Sequence, residues 1–227
     1  MTTEAAFTLY YHWLSPACRF VMAVMDEYGI AYQKVLEKTW ERRKKFYQIN
    51  PAGTVPVLVS PKGDVFVEWY AIIEALHDTP QAGSLLPLSV RDKAEVRRLI
   101  FWFMTSCDRE VTDYLLQEKV FKRFLRDNTP NASALRAGLT NLRTHLGYID
   151  FLMERRHWLA GDQLSLADFA AGAHVSCMDY LGHVPWQDFN DAKDWYTRLK
   201  SRPSFRCILE DTVPSVPPVP PYASLDF

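Results

Sequence analysis

Apolar positions in the first third of the chain change period as they go. Phe7 to His12 (FTLYYH) is aromatic-rich and reads as a strand. Ser15-Pro16 then supplies an N-cap with proline at the first helical position. Phe20, Val21, Val24 and Met25 recur at helical spacing, and Gly29 closes that helix. Ala31 to Leu36 predicts a second strand, and strand–helix–strand order implies a parallel pair. Val57-Leu58-Val59 and Val65-Phe66-Val67, joined through Pro61-Lys62-Gly63-Asp64, predict a hairpin. Trp69 to Leu76 predicts a short helix packed back on this sheet.

Beyond it the pattern becomes purely helical. Asp78 to Val90 holds Pro80, Gly83 and Pro87 without periodicity and reads as a linker. Arg91 to about Lys122 predicts one long helix burying Val96, Ile100, Phe103, Met104 and Cys107. After the break Asn128-Thr129-Pro130-Asn131, a second long helix places Leu135, Leu139, Leu142, Leu146, Ile149 and Met153 inside. Ser165-Leu166-Ala167-Asp168 is a close variant of the capping box and opens an apolar helix. Asp191 to Lys200 predicts a further amphipathic one. From Thr212 the chain reads TVPSVPPVPPYASLDF, whose five prolines favour an extended, polyproline-like arm. The division is therefore an α/β half over 1–80, a linker over 81–90, an all-helical half over 91–211 and a proline-rich tail over 212–227. No internal repeat is visible.

Composition narrows the class of protein only a little. Hydrophobic residues make up 48% and charged residues 23%, ordinary for a globular domain. The formal net charge of −1 gives no drive toward nucleic acid. No apolar run approaches the roughly 18 residues of a membrane span, so no membrane insertion is expected. Cys18, Cys107, Cys177 and Cys207 are scattered, without C-x-x-C or His/Cys metal spacing. Scattered thiols point to a reduced, cytoplasmic chain with no metal site rather than to a disulfide framework.

Several segments together resemble the glutathione S-transferase superfamily. Ser15-Pro16-Ala17-Cys18 is similar to its S-P-x-C/S active-site motif, and Asn50-Pro51 through Thr54-Val55-Pro56-Val57-Leu58 to its N-P-x-G-x-V-P-x-L segment. Glu68 with Ala71-Ile72-Ile73-Glu74, Gly161-Asp162 with Ser165 to Asp168, and Trp195 to Phe205 follow in the family's order. The resemblance spans roughly residues 5 to 207. It implies a thioredoxin-like N-terminal domain, an all-α C-terminal domain and a cis Val55–Pro56 bond. It also implies a glutathione site formed by Ser15, Val55, Pro56, Glu68 and Trp69. Within the superfamily, the tail resembles that of a dimeric bacterial division factor that binds polymers of the tubulin-like protein FtsZ. That narrower resemblance implies FtsZ polymers as partner, a homodimer, and a place at the division site.

Transferase chemistry needs a donor that stabilises a glutathione thiolate near a helix N-terminus. Ser15 has the type and the place for this, and equally serves as a plain N-cap. Cys18, one turn in, reads as a reactive thiol or as a buried helix cysteine. Trp69 stands where the resemblance implies a serine holding the glutamyl carboxylate. Losing that charge-assisted hydrogen bond costs on the order of 1.5–3 kcal/mol, and the indole adds bulk where the ligand sits. A vestigial, non-catalytic site with no cofactor is the expectation, against an active transferase using Ser15 or Cys18. His12 and Asp168 read as structural, one ending a strand and the other completing a cap.

Two features read as binding surfaces. Trp40 lies within Glu37-Lys38-Thr39-Trp40-Glu41-Arg42-Arg43-Lys44-Lys45 and is either an anchor beneath its loop or an exposed contact. The tail ends in Tyr222, Leu225, Asp226 and Phe227, which suit a partner contact or a strap docked on the chain's own body. Binding to FtsZ polymers and an adaptor role for another partner share every one of these features.

Overall fold

The computed structural model describes residues 6–79, 83, 85–125 and 129–224. A four-stranded sheet of order β2-β1-β3-β4 organises the N-terminal half, from β1 (Phe7–Tyr11), β2 (Tyr32–Leu36), β3 (Val57–Val59) and β4 (Val65–Val67). β1 and β2 pair in parallel, with Leu9 opposite Lys34. β3 runs antiparallel to both neighbours, with Leu58 opposite Leu9 on one side and Phe66 on the other. The strand–helix–strand reading and the hairpin are both present. A residue-level difference lies in α2 (Lys44–Ile49), a short helix within the charged stretch, where only Phe46 is buried. One apolar anchor in six residues leaves no helical period to read.

α1 (Pro16–Glu27) is buried on nearly all sides from Pro16 to Met25. One side of it meets α3 (Trp69–His77), and another meets the helical half of the chain. α1 is thus the shared wall between the two halves, which explains why its sequence is apolar beyond a single stripe.

The helical half begins with α4 (Val90–Phe101), capped by the Ser89 hydroxyl on the Asp92 N–H at 3.1 Å. It continues through a π-helical stretch, Trp102–Thr112, then α5 (Asp113–Leu116), a π turn at Gln117–Phe121, and α6 (Lys122–Phe124). The long helix is continuous, as expected, with a wider winding that the spacing of apolar residues did not announce. α7 (Ala132–Met153) buries Leu142, Leu146, Ile149 and Leu152, but Leu139 is 37% exposed. The inward residue there is Gly138, where an added methyl would stand 3.0 Å from Leu115. Close approach of α5 at that glycine turns Leu139 outward. α8 (Leu166–Tyr180) is buried along its whole length. Its cap carboxylate, Asp168, accepts from the Ser165 N–H, the Leu159 N–H and the Trp195 indole at 2.9–3.0 Å. α9 (Asn190–Lys200) and α10 (Arg206–Leu209) complete the bundle.

The tail departs from a uniformly extended arm. Val213 and Val216 close a tight turn, with Ser215 at φ +66°, and Pro220–Ala223 forms one 3-10 turn. Proline disfavours the interior of a helix but suits its first turn, where no N–H is required. No described helix is long and apolar enough to cross a membrane.

Candidate functional site

Sheet register gathers the sequence candidates at one end of the sheet. Tyr10 pairs with Val57 and Val57 with Val67, so Pro56 and Glu68 flank the end of β1 from which the chain turns toward Ser15. Tyr11 pairs with Leu36, so the segment leading to Trp40 leaves from the same end.

The turn before Ser15 is held from two sides. Leu14 adopts φ +51°, a left-handed conformation that costs a non-glycine residue about 1–2 kcal/mol. Its carbonyl accepts the Cys177 thiol at 3.2 Å, and its N–H lies near the Asp211 carboxylate, opposing the rise that burial imposes there. The half-buried Ser15 hydroxyl accepts the Cys18 N–H at 3.3 Å, so the capping role is present in the structure. Its oxygen sits at the positive end of a twelve-residue helix, where an anion is favoured. Cys18 is sealed, with 0% exposure, and burial pushes its thiol up to about 12. A thiol so placed is hidden from solvent and gives up its proton less readily than a free one.

Across the end of the sheet, the Val55–Pro56 bond is cis. The loop before it is built on Asn50, whose side-chain amide donates to the Thr54 carbonyl at 2.8 Å and whose carbonyl oxygen accepts the Ala52 N–H at 3.0 Å. Gly53 has φ +69° and lies against the Tyr47 ring, so any side chain there collides with the phenol. Thr54 donates to Glu68 at 2.9 Å, bridging the two arms of the site. Glu68 itself has φ +71° and hands directly into α3, where Trp69 takes the first position. The indole is half-buried, 6.0 Å from the Phe20 ring and edge-on to Tyr70. It borders a cleft of about 210 Å³ between α3 and α4, with Ile73, Leu86 and Ile100.

Trp40 is packed at the seam of the two halves. It stacks on Phe124 with centroids 5.2 Å apart and planes 13° from parallel. His12 meets it edge-on at 4.9 Å and also touches Trp13 and Phe121. In this aromatic surround the imidazole loses hydration, and burial lowers its pKa to about 4. His12 is therefore neutral and structural, as its strand-end position suggested. Trp13, Phe121 and Phe124 gave no sequence signal, because the rings they meet come from the other half of the chain.

The tail docks on the chain's own body. Tyr222 is fully buried, with its hydroxyl 3.1 Å from Arg19 Nη1 and donating to the Ile208 carbonyl at 3.1 Å. Tyr180 holds the preceding turn, donating to the Val216 carbonyl at 2.7 Å and accepting the Val213 N–H at 2.9 Å. Arg19 lies on α1, and its Nη1 also reaches the Ser176 hydroxyl of α8 at 2.8 Å, so tail, sheet half and helical half meet at one guanidinium. The sequence signal for Arg19 was a charge inside the otherwise apolar run Cys18 to Met25. Leu225, Asp226 and Phe227 lie outside the described residues.

A thioredoxin-like sheet domain, a cis-proline loop facing a helix N-terminus, and a buried capping box in a helical second domain together define a class. The chain belongs to the glutathione S-transferase family. The family's N-terminal domain model matches residues 14–79 and its C-terminal domain model residues 113–203. Over 223 residues it is 45% identical to the FtsZ-localized protein A of Caulobacter vibrioides (strain NA1000 / CB15N), covering 97% of this chain and 98% of that protein. The solved structure of FzlA from C. crescentus aligns with a TM-score of 0.95 at 44% identity, over 98% of this chain and 100% of that one. A glutathione S-transferase from Rhodospirillum rubrum F11 aligns equally well, with a TM-score of 0.95 at 45% identity, over 97% of this chain and 100% of that one.

Proposed function

We propose that this chain is a non-catalytic, homodimeric glutathione S-transferase-fold protein that binds FtsZ polymers at the bacterial division site, in the cytoplasm. The observation that carries the reading is 45% identity, sustained over 97% of the chain, with a protein named for its localisation with FtsZ. Two features of the site support the non-catalytic part. Trp69 puts an indole where the family's glutathione-holding serine is expected, and Cys18 is sealed, with burial raising the pKa of its thiol. The partner contacts proposed are the Trp40 loop and the tail end, Leu225, Asp226 and Phe227. Tyr222, fully buried, anchors the tail on the chain's own body.

A second copy suits the face formed by α3 and α4. Tyr70 and Phe101 are 63% and 64% exposed there, beside the Trp69 cleft, with Arg97 3.7 Å from Glu74 at its margin. A dimer presents each partner surface twice, so weak contacts to neighbouring filament subunits add by avidity.

The deciding experiment is co-sedimentation of the purified chain with GTP-polymerised FtsZ. Pelleting that depends on polymerisation supports the reading. Failure to pellet where FtsZ itself pellets overturns it and leaves an adaptor for another partner.

One observation favours an active transferase instead. Ser15 keeps its hydroxyl at the α1 N-terminus opposite the Val55–Pro56 bond, and the Rhodospirillum rubrum relative carries the transferase name. Under this second reading the chain binds glutathione despite Trp69, and calorimetric titration with glutathione separates the two.

A further inference from the structure

The stretch Glu37 to Lys45 holds five cations besides Lys38's partner Glu41 and the buried Glu37, in a chain whose net charge is −1. Both carboxylates are already engaged. Glu37 is buried and takes a two-pronged bond from Arg43, with Nε at 3.1 Å from Oε1. Glu41 pairs with Lys38 at 3.3 Å. Arg42, Lys44 and Lys45 are exposed and carry no ion pair among the described residues.

The backbone that carries them is a defined turn. Arg42 adopts φ +47° directly after the short turn Thr39–Glu41, a conformation that a non-glycine residue holds only when its surroundings impose it. Its N–H closes the turn on the Thr39 carbonyl at 3.3 Å, and two residues back Trp40 stacks on Phe124 with His12 edge-on behind it. The residue next to Phe124, Arg123, spends one N–H on the Ser215 carbonyl at 3.3 Å, a bond that leaves its charge unneutralised. Cations from both halves of the chain therefore flank one aromatic seam.

We infer that this seam is a docking surface for an acidic protein segment, with Arg42, Lys44, Lys45 and Arg123 as the contacts and Trp40 as their positioning residue. The inference deepens the FtsZ reading, on which it rests, by naming the chemistry its partner must present at the Trp40 loop. A protein carboxylate surface is favoured over nucleic acid, because three or four cations on a near-neutral chain give too little charge for a polyanionic backbone. Pairing at an exposed rim chiefly sets association rate and salt dependence.

The test is fluorescence anisotropy of a labelled poly-glutamate peptide of about 12 residues with the full chain. It is run at about 50 mM and about 300 mM salt, across which the screening length roughly halves. We expect binding at low salt that weakens about tenfold at high salt, and a loss of about tenfold or more in Arg42→Glu/Lys44→Glu/Lys45→Glu. Arg155→Glu, just past the opposite end of the 22-residue α7 from the Asn131–Glu118 contact, should bind as the parent does. Trp40→Ala should weaken binding and Trp40→Phe restore it, since phenylalanine keeps a ring on Phe124. No binding by the parent chain, or parental binding by the triple variant, overturns the inference. So does equal capture of a DNA duplex or phosphatidylserine vesicles. If the peptide binds as expected and FtsZ does not pellet the chain, the surface stands and the division-protein reading falls. If FtsZ pellets parent and triple variant alike, the reading stands and the surface falls.

Discussion

The Tyr222 hydroxyl lies 3.1 Å from Arg19 Nη1, joining residues 203 positions apart in the chain. Both are fully buried, so this contact is shielded from water and ties the tail to the helix that carries Ser15 at its start. Tyr222→Phe removes the hydroxyl and leaves the guanidinium short of a partner. A hydrogen bond to a buried charge is worth about 1.5–3 kcal/mol, and the variant should lose that much stability in chemical denaturation. Unchanged stability would show the tail to be passively packed.

Trp69→Ser restores a hydroxyl at the first position of α3. If the indole is what closes the glutathione site, the variant should acquire an affinity measurable by calorimetry that the parent lacks. Micromolar binding by the parent would instead overturn the vestigial-site reading.

Acid should destabilise the fold through its buried histidines. Burial lowers His12 to about 4 and His174 to about 3, so the native state binds these protons more weakly than the unfolded chain does. Their contribution is complete above the unfolded value near 6.5 and is lost as pH falls toward 4, on the order of 3 kcal/mol for His12 alone. Asp108 acts oppositely. Burial raises it to about 6, so its protonation favours the native state as pH falls through that value. Burial also raises Asp168, Asp179 and Asp211 and lowers His145 and His183. Unfolded histidines take up their protons between pH 7.5 and 5, whereas the ordinary carboxyl value lies below that window, so the denaturation midpoint at pH 5 should lie below that at pH 7.5. His12→Phe, set among Trp13, Trp40 and Phe121, should flatten the difference.

Covering Tyr70 and Phe101 by a second copy predicts a simple outcome. Tyr70→Glu/Phe101→Glu places two carboxylates in an apolar face and should convert a dimer to monomer in sedimentation velocity, with the fold intact by circular dichroism. A parent chain that already sediments as monomer excludes this face as a subunit contact.

Asp226→Lys reverses a charge in the tail end. We expect weaker co-pelleting with FtsZ and an unchanged melting temperature. Equal pelleting by the variant would remove Asp226 from the proposed contacts.

Much of this architecture was legible from local pattern. The aromatic strand, the Ser15-Pro16 cap, the hairpin and the capping box at Ser165 each depend on residues a few positions apart, where backbone preference and side-chain period act directly. The same holds for Ser15, Pro56 and Glu68, whose motifs mark one end of the sheet. Other features arise from neighbours distant in sequence. Whether Trp40 faces solvent depends on Phe124, and nothing near residue 40 encodes a ring arriving from the other half of the chain. The tail's docking rests on Arg19, Tyr180 and Ser176, brought together only when α1 packs against α8. Leu139 turns outward because Gly138 admits Leu115. Local propensity thus determined the elements and their order. Long-range packing, which decides what each exposed-looking side chain meets, determined the aromatic seam, the sealed thiol of Cys18 and the anchored tail.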